Sequence, residues 1–130
     1  MLACRNDHPL AERDVVQWED LAEHRFITVG RASGNRLILD LGLAKTGFRP
    51  RWFYEVQHLS TSLGLVEAGL GVAALPKMSL PSGPHPLIAS RPLIDPVVMR
   101  TVGLVRRPGA RLSPASERVH EMLLARWRTS

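Results

Sequence analysis

The sequence predicts an α/β fold with a largely parallel sheet. Three observations predict it. Short β-branched and aromatic runs alternate with stretches whose apolar residues recur every three or four positions. Glycine and proline fall between these segments, where a chain changes element. Apolar residues make up 45% of the 130, enough for a core and too many for a disordered chain. Strand and helix patterns in alternation are the signature of helices packed on a sheet whose strands run mostly one way.

Leu2-Ala3-Cys4 reads as the end of a strand. His8-Pro9-Leu10-Ala11 reads as a turn, because Pro9 fixes its own φ and disfavours helix at His8. Trp18 to Ala22 fits one or two helical turns, and Phe26-Ile27-Thr28-Val29 fits a strand closed by Gly30. The polar loop Arg31 to Asn35 leads to a helix with Ser33 or Asn35 as its cap. On that helix Leu37, Ile38, Leu41 and Ala44 share one face, and Gly47 is placed to end it. Arg51 to Val56 predicts a strand carrying Trp52, Phe53 and Tyr54. A second helix follows, with Ser60 as candidate cap and Leu63, Val66 and Leu70 at helical spacing; Gly69 and Gly71 stop it. Val72 to Pro76 reads as a short buried strand, and residues 77–92 as loop with a little strand near Leu87-Ile88. Val97 to Arg106 predicts a longer strand ending at Pro108-Gly109. The last helix has Ser113 at its cap, Pro114 at its first position and Glu117 in its first turn. Val119, Met122, Leu123 and Trp127 form its apolar face, and Arg126 and Arg128 sit where positive charge suits the dipole.

Several function classes are excluded by what the chain does not contain. No apolar run approaches the ~18–20 residues of a membrane helix. The start, Met1 to Asp7, is too short and polar for a secretory signal, so a cytoplasmic protein is expected. The single Cys4 has no internal partner and reads as a buried strand thiol. The formal charge is +5, but the arginines are scattered and no reading motif accompanies them, so they read as a solvated basic surface. None of the five histidines is spaced with another histidine or with Cys4 as metal ligands are, so no metal site is expected. Glu19-Asp20 and Glu12-Arg13-Asp14 read as solvated carboxylates rather than an acid/base pair. No nucleophile elbow or Walker-type phosphate loop occurs, and Gly69-x-Gly71 follows a helix instead of opening one. No catalytic residue, cofactor or enzyme activity is expected.

Two loops stand out. Thr28 to Gly34 follows the strand at Phe26, and Gln57 to Thr61 follows the strand at Tyr54. Each lies at the carboxyl end of a strand and runs into a helix start, where open α/β sheets bind ligands and free N–H groups receive anions. A second reading of Thr28, Ser33, Ser60 and Thr61 is that they only cap helices.

Taken together, these segments resemble the effector-binding domain of LysR-type transcriptional regulators. The carrying residues are Asp7-His8-Pro9-Leu10-Ala11, Trp18-x-Asp20-Leu21, Phe26-Ile27, Leu39-Asp40 and Gly47-x-x-Pro50. The most specific block runs from Tyr54 to Pro76, and Arg100 to Leu104 with Leu112 to Ala115 complete the likeness over nearly the whole chain. The resemblance implies a type 2 periplasmic-binding-protein-like fold in which two α/β subdomains enclose a small effector. It implies that residues 1–4 end a crossover strand, that 5–91 form a near-complete second subdomain, and that 92–130 return to the C-terminal part of the first. The DNA-binding helix-turn-helix and the first part of the first subdomain are then expected to be absent. Carried over residue by residue, the family's effector contacts fall on Thr28, Gly30 and Arg31 in one loop and on Gln57, His58 and Ser60 in the other. The expected ligand is a small anion or carboxylate. A homo-oligomer is expected through the helix at Ser60 to Ala68, with DNA reached only through the absent domain and no membrane partner. The alternative function is a fragment of a solute-binding protein of the same fold.

Overall fold

Leu2-Ala3-Cys4-Arg5 is short, but its first three residues are fully shielded from solvent, which places it inside a sheet. The computed structural model describes residues 1–109 and 111–128, with the backbone alone for residue 128. Residues 110, 129 and 130, which belong to the segment expected to return to the first subdomain, lie outside the described residues, as does the Arg128 side chain. The elements in order are β1 (Leu2–Arg5), β2 (Val16–Gln17), β3 (Phe26–Val29), α1 (Gly34–Leu43), β4 (Trp52–Val56), α2 (Leu59–Glu67), β5 (Val72–Ala74), β6 (Ile88–Arg91), β7 (Leu93–Ile94) and α3 (Pro114–Arg128). Single 3-10 turns lie at Pro9–Glu12, Glu19–Leu21 and Lys77–Ser79.

Five strands form one sheet in the order β4-β3-β5-β1-β6. β3 runs parallel to both β4 and β5, as the alternation of patterns predicts. β1 runs antiparallel to β5 and β6, so the sheet is mixed rather than largely parallel. A separate two-stranded parallel ladder joins β2 to β7. The side-chain alternation of β1 splits the core: Leu2 and Cys4 join one cluster and Ala3 the other. Leu39 and Leu43 of α1 pack with the first cluster, Leu59, Leu63 and Val66 of α2 with the second. Helices therefore cover both faces of the sheet.

The helix ends follow from local chemistry. Ser33 is extended (φ −79°, ψ 131°) and its hydroxyl accepts the Asn35 N–H, so it caps α1. α1 stops at Leu43, and Gly47 takes φ +72° in the turn beyond. α2 ends in a paired motif: Leu70 N–H donates to Leu65 O and Gly69 N–H to Val66 O, with Gly69 at φ +74°. His8 caps the turn at Pro9 through its Nδ1, which accepts the Leu10 N–H at 3.1 Å. Trp18 is buried and donates from Nε1 to Pro96 O at 2.9 Å, holding residues 95–96 to the body that contains β2.

Two further expectations are corrected here. The inward face of α1 is Arg36, Leu39 and Leu43, whereas Leu37 and Leu41 are more than half exposed. Residues 97–106 form no strand. Val97, Met99, Val102 and Val105 are exposed there, and a β pattern with no neighbouring strand to take its N–H and C=O groups does not become a strand.

The chain divides into two units, Met1–Met99 and Arg100–Ser130. The first thus extends past Arg91 and includes β7. The second contains α3, where Ser113 Oγ accepts the Ser116 N–H at 3.2 Å and Pro114 opens the helix. Val119, Met122 and Trp127 of α3 are exposed. No helix among the described residues is long and apolar enough to cross a membrane.

Candidate ligand-binding site

β3 and β4 are adjacent and parallel, with Val29 opposite Val56. Both chains leave the sheet at the same edge, and the Gly30 N–H donates to Val56 O at 2.9 Å. The two loops singled out in the sequence therefore start side by side.

Thr28 lies within β3, buried, and its hydroxyl donates to Val29 O at 3.2 Å, so it is a wall residue rather than a cap. Gly30 opens a tight turn in which its carbonyl accepts the Ser33 N–H at 2.9 Å. A methyl group at Gly30 would stand 3.5 Å from Glu55 Oε1, which brings the end of β4 against this turn. Arg31 follows, exposed. On the other loop Gln57, His58 and Ser60 are all exposed. The cap of α2 is His58, extended at φ −123° and ψ 145°, whose carbonyl accepts the Ser62 N–H. Ser60, expected as that cap, lies inside the first turn. The reason is packing: Leu59 is the first residue to reach the core, so the helix begins with it. The side chains of Arg31, Gln57, His58 and Ser60 make no hydrogen bond or ion pair with any described residue. Four polar groups are thus free at one sheet edge.

Against β4 lies a residue that sequence reasoning missed. Arg36, in the first turn of α1, is only 4% exposed. Its Nε donates to both Asp40 oxygens at 2.9 and 3.0 Å, and its guanidinium carbon sits 4.1 Å from the centre of the Trp52 ring. Nη1 is 3.9 Å from Glu55 Oε2, within ion-pair range but beyond a hydrogen bond, and has no hydrogen-bond partner. The signal available in the sequence was the Arg36/Asp40 pair at four-residue spacing, on the same face as Leu39 and Leu43.

The opposite edge of the sheet holds a cleft of about 530 Å³, lined among others by Arg5, Asp7, His8, His24, Arg25 and Gly71. Arg5 grips Asp7 through two hydrogen bonds, 2.9 and 2.7 Å, and donates to Glu67 O at 3.0 Å. That pairing lowers the Asp7 carboxyl from its ordinary range. The His8 and His24 rings lie 4.7 Å apart. Burial lowers the His8 imidazole from its ordinary value, and the neighbouring His24 lowers it further, against a pull upward from Asp7. No cluster of three or more His, Cys, Asp or Glu able to hold a metal ion occurs among the described residues. Cys4 is buried, which raises its thiol, and Arg91 offsets part of that rise.

This cleft and the two loops are thus at different ends of the sheet. In the cleft Arg5 and Asp7 already satisfy each other, and the His8 Nδ1 is engaged by the Leu10 N–H. At the loop edge the polar groups are unengaged, so the loop edge is the stronger candidate for recognising a ligand.

The LysR substrate binding domain model matches residues 1–128. The chain is 50% identical over 127 residues to the HTH-type transcriptional regulator YbhD of Escherichia coli (strain K12), covering 98% of this chain and 40% of that one. It spans about 40% of the length of the curated relatives it matches. The reduced form of OxyR superposes with a TM-score of 0.68 at 30% identity, over 93% of this chain and 55% of that one. The regulatory domain of CcmR from Synechocystis PCC6803, solved in complex with 2-PG, reaches a TM-score of 0.74 at 21% identity, over 95% and 60%. That likeness extends to the fold, and the fold is the type 2 periplasmic-binding-protein-like α/β architecture. Relatives named as regulators favour the regulator over the solute-binding reading. With the family model matched from end to end of the described chain, this protein belongs to the LysR substrate binding domain family.

Proposed function

We propose that this chain is the effector-sensing part of a LysR-type transcriptional regulator, and that Thr28, Gly30, Arg31, Gln57, His58 and Ser60 hold a small anion or carboxylate. The observation that supports this best is the bond from Gly30 N–H to Val56 O, which sets two loops with unengaged polar side chains side by side at one sheet edge. Both loops run into helix starts, whose free N–H groups and positive dipole ends suit an anion. Arg31 adds a fixed positive charge with paired donors that match a carboxylate. Thr28 and Gly30 shape the wall, and Gln57, His58 and Ser60 supply polar contacts from the facing loop. The reading includes the subdomain assignment, with residues 5–91 as the second subdomain and 92–130 as the return to the first. It also includes a non-enzymatic role, a homo-oligomeric regulator in the cytoplasm, and DNA contact through a part outside this chain.

A complete pocket buries ~70–90% of a small ligand, and two loops at one edge bury less, so binding by this chain is weak. The test is calorimetric titration of a panel of small carboxylates into the chain and into Arg31→Ala. The expected result is binding by the unaltered chain, weakened about tenfold or more by loss of a charge-assisted pair. Equal binding by both proteins would remove Arg31 from the site.

A further inference from the structure

The Arg36 guanidinium is one of the two buried side-chain groups with an unmet hydrogen-bonding atom among the described residues, and the one that carries a charge. An unpaired buried donor is costly, more so when charged, and calls for an explanation. Its flat face is covered by Trp52 and its Nε is taken by Asp40, so the remaining donor edge is fixed in direction. That edge points at Glu55, whose side chain is 56% exposed and stands too far away to accept a hydrogen bond. Beside Glu55 lies Gly30, where an added methyl group would stand 3.5 Å from Glu55 Oε1. A half-exposed carboxylate is therefore parked over a buried cation, at the mouth of the two loops.

Resting on the ligand site proposed above, we propose that Arg36 is the charged anchor of the ligand and that Glu55 holds its place until a small monocarboxylate displaces it. The local charges decide the ligand class. Arg36 faces two carboxylates, Asp40 at 2.9 Å and Glu55 at 3.9 Å. When Glu55 swings into solvent, a single ligand carboxylate replaces it charge for charge. A dianion would leave an excess of negative charge beside Asp40. The carboxylate can accept from Nη1 at hydrogen-bond distance, which Glu55 does not do at 3.9 Å. Arg36 is thus a specificity-determining residue and Glu55 an internal competitor.

The test uses benzoate as the monocarboxylate probe and inorganic phosphate at pH 8 as the dianion. Two-dimensional ¹H–¹⁵N spectra follow the loop amides at residues 28–31 and 57–60 and the Arg36 Nε–H. Benzoate is expected to shift both sets of signals, with phosphate weaker. Glu55→Gln removes the competing charge and is expected to lower the half-saturating benzoate concentration about tenfold, while Arg36→Lys, which cannot present the same planar edge, raises it about tenfold. Should Arg36→Lys lose its dispersed spectrum, the Glu55→Gln titration and the Arg36 Nε–H shift decide instead. Loop shifts that saturate alike in the unaltered chain and in Glu55→Gln, with no movement of the Arg36 Nε–H, would overturn this inference and leave the loop site standing. No loop shift with either probe, in either protein, would overturn both.

Discussion

Gly71 sits where no other residue fits. The Val72 N–H donates to Arg25 O at 2.9 Å, the bond that starts the pairing of β5 with β3. A methyl group on residue 71 would lie 2.2 Å from that same carbonyl oxygen and 3.1 Å from its carbon. Both obstacles are backbone, so no side chain can rotate away. Relief requires the two strands to part by roughly 1 Å, which breaks the bond. Loss of that hydrogen bond costs ~0.5–1.5 kcal/mol and the forced shift of a packed strand ~1–3 kcal/mol, so Gly71→Ala should destabilise by about 2–4 kcal/mol. For a cooperative unit the size of Met1–Met99 that corresponds to a melting point lower by about 10–25 °C. Gly64→Ala is the control: it lies inside α2 with nothing within 4 Å of the added atom, and should stabilise by about 0.5–1 kcal/mol. Circular dichroism melts of the three proteins measure both effects. A Gly71→Ala protein melting within about 3 °C of the unaltered chain would refute the contact argument.

Two further outcomes are expected. Ser33→Ala removes the cap of α1 and should cost about 0.5–2 kcal/mol by chemical denaturation, with Ser33→Asn recovering most of it. His8 has a folded-state value below its unfolded value of about 6.5, so its unfolded form binds the proton more readily and stability falls as the pH drops below that unfolded value. His8→Asn keeps a capping acceptor for Leu10 and should flatten the loss of melting temperature between pH 7.5 and 5.5; an unchanged slope would show that another group is responsible.

What was legible in the sequence had a local cause. The turn at His8-Pro9, the strands at Phe26 and Trp52, the cap at Ser33 and the glycine stop at Gly69 each depend on residues within a few positions, and each occurs in the structure. What was not legible depended on distant partners. The direction of β1 is set by β5 and β6, some 70 to 90 residues away. The ladder of β2 with β7 is two residues long, too short to carry any periodicity. The alternation in Val97 to Arg106 looked like a strand, but a strand is defined by its neighbour, and none pairs with it. That the two loops leave the sheet side by side follows from two strand-to-helix patterns in succession, which make parallel neighbours of β3 and β4. Arg36 was not, because a charged side chain at a buried helix position runs against the pattern used to find buried faces.

A sequence whose local signals all agree with its fold is relaxed everywhere, and departures concentrate where something other than stability has set the residue. Two of the departures fall at the same sheet edge. On α1 an arginine occupies the place where the helical pattern calls for an apolar residue, and Leu37 and Leu41 are turned outward as a consequence. On α2 the cap is a histidine whose side chain bonds to no described residue. α2 thus lacks a side-chain cap and α1 buries a charge in its first turn, both at helix starts that follow the loops at Gly30 and Gln57. A helix start that only needed to be stable would bury leucine at residue 36 and cap α2 with serine or aspartate at residue 58. Replacing His58 by Asp supplies that cap and should raise the melting temperature, while its negative charge should weaken binding of a small carboxylate in a calorimetric titration; a more stable protein that binds the carboxylate unchanged would count against a ligand role for this edge.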